Sequence, residues 1–341
     1  MFLRFLFLVG TVAGNENYGF SIVIDAGSSG SRVHVYKLDW TESKGSQGQI
    51  IFPKLELPEQ KLKTKPGLST FAQNPSLAGE SLVDLVRFAE NHIPSALHSK
   101  TPVYLSATAG LRLLNKETAQ QILDSCYDWL VKNSPFMIRR EKISVISGRD
   151  EGAFGWLTMN FLQKRLFGMP DHNKGTLGTI EMGGASTQVT FLQPERVDSP
   201  AEYIYTLQLG PKSYKLYTHS YLGFGQDQGR EKYNKLLGER ADDPCFPVGF
   251  ARSSENNDVY LGRANDVVQW RGTGSFSQCA SELKLLFAQN NVCPVQPCSF
   301  SDVHQPRFWD NSGNIVVLIE NFYHTSKVCN QFTTKCLLTN R

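Results

Sequence analysis

Two glycine- and serine-rich segments carry residue types that bind phosphate groups. The first, DAGSSGSR, spans Asp25–Arg32, and the second, EMGGASTQ, spans Glu181–Gln188. Glycines allow backbone angles that other residues avoid, and successive N–H groups in such a turn form a concave site for anions. One such segment is also typical of an ordinary hairpin turn. Two segments of the same design favour a pair of phosphate-binding loops.

An acidic residue opens each of these segments. Asp25 and Glu181 each follow an apolar run and directly precede the small residues. A carboxylate at that place can hold a divalent cation against phosphate oxygens, directly or through water. The sequence contains no G-x-x-x-x-G-K-[ST], and we predict a strand after the first segment, where a P-loop or a dinucleotide-binding loop would be followed by a helix.

A third motif, ISGRDEGAFGW, contains a candidate for activating water. It places Glu151 beside glycines near a predicted helix start. Phosphoryl transfer to water needs a group that orients and deprotonates the water, and a carboxylate between two phosphate loops suits that role. The alternative is that Glu151 is an acid favoured by the helix dipole at the N-terminus. The spacing alone leaves both interpretations open.

A fourth motif, SATAGLR, follows a short apolar strand. Thr108 and the backbone amides around Ala109 could reach a terminal phosphate. The alternative is a simple strand-to-helix turn.

The elements predicted around these motifs form a repeat. Strands over 20–25 and 32–38 flank the first loop, and strands over 177–181 and 186–192 flank the second. The periodicity also predicts helices over 76–92, 115–132 and 151–166, and strands over 103–105 and 143–146. Because Asp25 overlays Glu181 and Gly27 overlays Gly183, we predict two α/β lobes of similar fold facing each other across a cleft.

Composition narrows the class of protein. The 341 residues include 40% hydrophobic and 20% charged residues, and the net charge is +3, which gives no indication of nucleic-acid binding. Residues 1–14 are predicted to be a signal peptide, the alternatives being a buried first strand or a truncated start. No later apolar run is long enough to span a bilayer. Six of the seven cysteines lie beyond residue 240 without metal-site spacing, which favours secretion and disulfides.

Taken together, the four motifs identify a family resemblance. VIDAGSSGSR, SATAGLRLL, ISGRDEGAFGW and IEMGGASTQV occur in the same order as the apyrase conserved regions of the GDA1/CD39 nucleoside triphosphate diphosphohydrolases. Weaker similarity continues through YTHSYLGFGQDQGR, DPCFPVGF, GTGSFSQC and CPVQPCSFSDVHQP. The chain therefore resembles this family over about residues 20–327.

The resemblance implies an actin-like (RNase H-like), two-lobed ATPase fold with a nucleotide cleft. It implies a hydrolase that acts on nucleoside tri- and diphosphates with Ca²⁺ or Mg²⁺, with Glu151 activating the attacking water and with Asp25 and Glu181 holding the metal through water. Together with the predicted signal peptide and the cysteines, this gives the expectation of a secreted enzyme. It also implies disulfides Cys245–Cys279 and Cys293–Cys298. The phosphate-binding residues carried over by motif are Gly27, Ser28, Ser29, Gly30, Ser31, Arg32, Thr108, Ala109, Gly183, Gly184, Ala185, Ser186 and Gln188.

Two departures from the family pattern are expected to matter. The fourth conserved region normally begins with aspartate, and the extra methylene of Glu181 moves its carboxylate by about a bond length, which can retune activity. The chain also ends early relative to the pattern, so of the two predicted lobes, 18–165 and 166–341, the second is expected to be incomplete. A catalytically weak isoform that binds nucleotides or host partners is therefore an alternative, and another type of actin-like ATPase is a third.

Overall fold

The computed structural model describes residues 18–39, 54–56, 61–194, 199–253, 259–261, 268–287, 293, 295–308 and 315–331. The predicted signal peptide lies outside these residues. The described residues form two compact units, one from those up to residue 226 and from residue 308 onwards, and the other from those between residues 227 and 307. The first unit contains two mixed sheets, and the predicted lobe boundary between residues 165 and 166 stays a prediction.

The first sheet contains the first phosphate loop. Its strand order is β3-β2-β1-β5-β6, with β4 also paired to β2. Strands β1 and β2 form an antiparallel hairpin, and β5 and β6 continue the sheet in parallel from β1. The strands are β1 (Tyr18–Gly27), β2 (Gly30–Asp39), β3 (Lys54–Glu56), β4 (Lys61–Thr64), β5 (Pro102–Ala107) and β6 (Met137–Val145).

Alternation along the β1–β2 hairpin separates a core face from a polar face. Ile22, Ile24 and Val33 are buried in the hydrophobic core of the first lobe. Asp25 is paired with Arg32 in the register and belongs to the other face. Since successive side chains of a strand point to opposite sides, the sequence VIDAGSSGSRVHV sends its charged residues to the side away from the core.

Helices and 3₁₀ segments cover the core face of the first sheet. The helices are α1 (Val83–His92), α2 (Ala109–Arg112) and α3 (Lys116–Asn133), and the 3₁₀ segments are Leu68–Gln73, Pro75–Leu77, Glu80–Leu82 and Ser95–Lys100. The helix predicted over 76–92 is wrong in its first half, where the chain forms short 3₁₀ turns. Gly79 there lies close to α3, donating its N–H to Ser125 Oγ at 3.1 Å. The predicted Asn115 start of α3 is confirmed, since Thr118 N donates to its Oδ1 at 2.8 Å.

The second sheet contains the second phosphate loop. Its order is β15-β7-β8-β10-β9, with only the β15–β7 pair parallel. The strands are β7 (Gly178–Met182), β8 (Ser186–Leu192), β9 (Ile204–Leu209), β10 (Lys212–Leu222) and β15 (Val316–Glu320). The predicted strand pair around GGA is confirmed.

Helix α4 (Gly148–Leu162) packs mainly on the second sheet. It begins three residues earlier than predicted because Ser147 and Asp150 form a capping box. Its apolar side, with Trp156 and Leu157, joins Leu209 and Leu216 in a buried cluster. Helix α7 (Asn321–Gln331) directly follows β15, and 3₁₀ turns occur at His172–Lys174 and Ala201–Tyr203.

The two sheets repeat one topology. In each, an antiparallel hairpin carries a glycine-rich turn, and a parallel strand that comes later in the chain lies beside its first strand. In the register, Asp25 faces Arg32 across the first hairpin, and Glu181 faces Gln188 across the second. The predicted repeat, with Asp25 overlaying Glu181, is therefore confirmed.

The second unit is small and cross-linked. Its elements are α5 (Gln226–Leu237), β11 (Asp242–Asp243), β12 (Phe250–Ser253), β13 (Val259–Leu261), β14 (Val268–Gly272), α6 (Phe276–Leu286) and a 3₁₀ turn at Phe300–Asp302. The disulfides expected from the resemblance, Cys245–Cys279 and Cys293–Cys298, are both present. Throughout the described residues, we find no helix with the length and apolar character that a membrane span requires.

Candidate functional site

One cavity of about 390 Å³ in the first unit brings the sequence motifs together. Both phosphate loops line it, together with α4 and the end of β15. The predicted site residues that line the cavity are Asp25, Gly27, Ser28, Ser29, Gly30, Arg32, Thr108, Ala109, Glu151, Glu181, Gly183, Gly184, Ala185 and Ser186. Ser31 and Gln188 are absent from the lining.

The first phosphate loop is tighter than predicted. Strand pairing continues to Gly27 and Gly30, so only Ser28 and Ser29 form the turn. Asp25 and Arg32 therefore belong to the strands, which fixes their side chains more firmly than a loop would. Ser31 is buried, and by alternation along β2 it shares the face of Val33, which belongs to the core. Its proposed contact with phosphate stays a prediction.

Two further segments border the first loop. Lys63 on β4 places Nζ 3.4 Å from Ser29 Oγ and adds a positive charge beside the turn. Thr108 follows β5 and donates its N–H to the Ala26 carbonyl oxygen at 3.2 Å. The predicted position of Thr108 beside the phosphate loop thus rests on strand pairing, because β5 lies parallel to β1.

The second phosphate loop is closed by its own backbone and held from outside. Gly183 N donates to the Ser186 carbonyl oxygen at 2.9 Å. The Gly183 carbonyl oxygen accepts hydrogen bonds from Gln226 N at 2.9 Å and from Asn321 Nδ2 at 3.1 Å. Gly225 packs against the loop so closely that a Cβ there would lie 2.5 Å from Ala185 N. This loop is consequently fixed by two segments distant in sequence.

Glu151 lies at the centre of a hydrogen-bond network between the two loops. Its Oε2 accepts from Arg112 Nη2 at 2.5 Å and from Gln188 Nε2 at 2.9 Å. Gln188 Nε2 also lies 2.7 Å from Ser186 Oγ and 2.9 Å from Ser220 Oγ. Gln188 thus contacts both Glu151 and Ser186 without lining the cavity itself. The arrangement holds one carboxylate oxygen of the predicted base by two donors.

Helix α4 presents one side to the cavity. Glu151, Gly155, Thr158 and Met159 all line it, at the spacing of residues on one face of a helix. The helix thereby carries the base into the cavity while its opposite face is buried on the second sheet. This placement favours the catalytic interpretation of Glu151 over a purely helix-capping role.

Burial, with a smaller contribution from neighbouring negative charges, raises the pKa values of Asp25 and Glu181 in the cavity. Burial raises the pKa of Glu181 to about 8, with smaller contributions to this increase from the charges of Glu151, Glu320 and Asp25. Burial likewise raises the pKa of Asp25 to about 6, with Glu151 and Glu320 adding to the effect. The pKa of Glu151 is also raised by burial, and the Arg112 guanidinium opposes this increase. Such a site favours a bound cation.

The oxygen donors of the cavity fit a divalent cation held through water. Glu181 Oε2 is closed off from solvent and has no hydrogen-bond partner in the described part of the chain. Its counterpart in the first hairpin, Asp25, lines the same cavity. No group of three or more His, Cys, Asp or Glu side chains among the described residues could hold a metal ion directly. Hard oxygen ligands with room for water suit Mg²⁺ or Ca²⁺.

Four functional candidates were missed by the sequence reasoning. Arg112 was inside a quoted motif, and its position at the end of SATAGLR was the available signal. Glu320 lines the cavity and ends the apolar run IVVLIE, which repeats the pattern of VID and TIE. Ser220 lay inside the quoted segment YTHSYLGFGQDQGR, which gave no indication of its role, and Lys63 had no local signal. Only the pairing of β4 with β2 and of β10 with β8 brings these two residues to the loops.

Proteins named as apyrases or as a nucleoside-triphosphatase are similar to this chain. The chain is 37% identical over 324 residues to probable apyrase 4 of Arabidopsis thaliana, covering 90% of this chain and 61% of that protein. It is 33% identical over 308 residues to a nucleoside-triphosphatase of Pisum sativum, covering 87% and 63%. It is 33% identical to the Golgi apyrase of Schizosaccharomyces pombe, covering 90% and 55%. The chain thus spans less than two thirds of the length of these relatives.

A solved structure supports the fold. The crystal structure of nucleoside triphosphate hydrolases from Neospora caninum superposes with a TM-score of 0.63 at 15% identity, covering 94% of this chain and 76% of that one. At this identity the similarity shows the fold alone, which is the predicted actin-like α/β fold with two sheets. A profile of the GDA1/CD39 (nucleoside phosphatase) family matches residues 11–340. The chain therefore belongs to the GDA1/CD39 (nucleoside phosphatase) family.

Proposed function

We propose that this chain hydrolyses nucleoside tri- and diphosphates by attack of water on the terminal phosphorus. The observation that supports this most strongly is the position of Glu151, held by Arg112 and Gln188 in a cavity that both phosphate loops line. A single loop would only bind an anion. Two loops with a carboxylate base between them can hold a polyphosphate chain and supply a nucleophile at its end.

Each side chain of the cavity has a part in the proposed reaction. The backbone N–H groups and hydroxyls of the two loops, with Arg32 and Lys63, bind the phosphate oxygens. Glu151 takes a proton from water through its second carboxylate oxygen. The water oxygen then forms a bond to the terminal phosphorus as the bond to the bridging oxygen breaks. Inorganic phosphate leaves, together with a nucleotide that is one phosphate shorter.

Burial suits Glu151 to this task. The raised pKa makes the ionised carboxylate a stronger base than an exposed glutamate would be. Asp25 and Glu181 would hold a divalent cation through water in the cavity. When bound, such a cation supplies positive charge to the phosphate oxygens. The proposed cation is either Ca²⁺ or Mg²⁺.

We further propose that the protein acts in the secretory pathway or outside the cell. Its two disulfides form and persist in oxidising compartments. The Schizosaccharomyces pombe relative is called a Golgi apyrase, which agrees with such a location. A nucleotide-binding protein with little turnover is the second candidate, and the following experiment separates it from the enzyme.

Replacement of Glu151 tests its proposed role as the general base that activates water. Purified wild-type chain with ATP or ADP and Ca²⁺ or Mg²⁺ should release inorganic phosphate, and Glu151→Gln should lower kcat by about 10²–10⁴-fold because the general base is lost. Binding of a non-hydrolysable ATP analogue should change little. The matched control is Glu141→Gln, an exposed glutamate of β6. Analogue binding without phosphate release by the wild type would overturn the enzyme and leave the binding protein.

A further inference from the structure

We propose that Arg112 is a positioning residue that fixes the base Glu151 and joins it to both phosphate loops. The inference rests on the proposed hydrolysis and assigns a residue that the motif comparison had left without a role. Arg112 ends the short helix α2, which begins directly after Thr108, and thus belongs to the segment that borders the first loop. Its guanidinium reaches Glu151 on α4 and Ser186 on β8.

The contacts of Arg112 converge on the reacting region. Nη2 lies 2.5 Å from Glu151 Oε2 and 3.1 Å from Ser186 Oγ. Within the described residues, Arg112 is the only cation paired with Glu151, and the two side chains are 14% and 13% exposed. At such burial the ion pair is weakly screened by solvent, so the loss of one partner leaves an uncompensated charge.

The ion pair with Arg112 also gives the two carboxylate oxygens of Glu151 different surroundings. Oε2 of Glu151 is occupied by Arg112 and Gln188, while no described residue hydrogen-bonds to Oε1. Two donors on one oxygen fix the rotation of the carboxylate group. The other oxygen is then directed to receive a proton.

The burial of Arg112 at this place costs free energy of folding, so the stability of the fold alone does not explain it. Its Nε and Nη1 atoms are buried and have no hydrogen-bond partner in the described part of the chain. Buried polar groups are normally satisfied, and exceptions are frequent at functional sites. Arg112 has two unsatisfied nitrogens and one charge-assisted hydrogen bond to Glu151. Its place in the structure is therefore better explained by a role in holding Glu151 than by a contribution to the stability of the fold.

Three variants test the inference. Arg112→Met keeps an unbranched apolar stem and removes the guanidinium and its charge, and Arg112→Lys keeps the charge without the planar fork. The matched control is Arg149→Met on α4, because Arg149 donates to the Ile204 carbonyl oxygen and does not line the cavity. For each variant we would measure kcat and KM for ATP, the Kd of a non-hydrolysable ATP analogue, and Tm.

Arg112→Met is expected to lose about 100-fold in kcat, the effect of a base misplaced by about 1 Å, while the analogue Kd stays within about threefold. Arg112→Lys should recover part of the loss, and free guanidinium should partly restore Arg112→Met. Arg149→Met should retain wild-type kcat. The inference is overturned if Arg112→Met keeps its kcat, or if kcat, analogue binding and Tm all fall together. A wild-type chain that releases no phosphate removes the proposed function, and the inference with it.

Discussion

Two carboxylates lie near the ends of equivalent strands on the two sheets, and their side chains differ by one methylene. Asp25 lies two residues before the end of β1, where it pairs with Arg32, and Glu181 takes the equivalent place in β7, where it pairs with Gln188. The longer side chain reaches towards α4, where a Cβ on Gly155 would lie 2.8 Å from Glu181 Oε2. Gly155 therefore leaves the space into which the extra methylene extends the carboxylate.

Shortening Glu181 is expected to raise turnover. Glu181→Asp withdraws the carboxylate from Gly155 and gives both hairpins the same acid. The water through which Asp25 and residue 181 would hold the cation should then be better placed. We expect kcat for ATP to rise several-fold and at most about 100-fold, since misplacement by about 1 Å has that cost. Steady-state phosphate release measures it. The matched variant Asp25→Glu lengthens the other acid and should lower kcat. Equal or lower turnover of Glu181→Asp contradicts this account.

At the scale of elements, each phosphate loop depends on segments that are distant in sequence. The second loop is the clearer case, because its Gly183 carbonyl oxygen is held by Gln226 and Asn321. Gly225 lies directly behind it, where any side chain would meet backbone atoms of Gly184, Ala185 and Ser186 at 2.5 Å. Backbone cannot move aside as a flexible side chain can, so the loop itself would have to shift.

Gly225→Ala should therefore weaken phosphate binding. Displacement of the loop is expected to raise the KM for ATP and the Kd of a non-hydrolysable analogue by about tenfold or more, since loss of positioning within about 1 Å is costly. Titration calorimetry with the analogue measures the effect. The control is Gly229→Ala on α5, where a Cβ meets nothing within 4 Å. That variant should bind normally and gain about 0.5–1 kcal/mol in stability, because Gly is unfavourable in a helix. Equal binding by the two variants would refute the role of Gly225.

At the scale of the whole molecule, the cavity gathers acids from elements that are far apart in the chain. Asp25 comes from β1, Glu151 from α4, Glu181 from β7 and Glu320 from β15. Folding brings these carboxylates together and buries Asp25, Glu151 and Glu181, which disfavours the ionised forms of these three. The free energy of unfolding should consequently depend on pH in the direction that the raised pKa values dictate.

Glu181 sets the direction in which stability changes with pH, because burial raises the pKa of its carboxyl group from 4.5 to about 8. Between these values the folded state keeps a proton that the unfolded state has lost, so stability falls as pH rises. In a chelating buffer, Tm should fall between pH 6 and pH 8.5, by about 2 °C for each kcal/mol lost. Calorimetry measures this. Glu181→Gln should flatten the dependence, whereas Glu141→Gln should leave it unchanged.

A divalent cation should reverse this pH effect. Bound near Asp25 and Glu181, it favours their ionised forms, so added Ca²⁺ or Mg²⁺ should raise Tm more at pH 8.5 than at pH 6. A Tm in chelator that is constant or rises over this range, with Glu181→Gln behaving like wild type, would contradict the buried acid cluster.

Much of the fold was predictable because its signals are local. The strands around both turns follow from alternating apolar residues, and the start of α3 follows from Asn115 acting as an N-cap. The helix predicted over 76–92 failed in its first half, since contact of Gly79 with Ser125 decides the backbone there. Periodicity in a sequence carries no information about a partner 46 residues away.

The sequence by itself determined the two glycine-rich turns, the acid before each of them, Glu151 and the repeat, because each of these is a pattern of neighbouring residues. Tertiary structure alone decided which side chains meet. Arg112 bonds to residues 39 and 74 positions away, and Lys63 and Ser220 reach the loops through strand pairing. Contacts between residues so far apart depend on strand register and on helix packing, which no local pattern specifies.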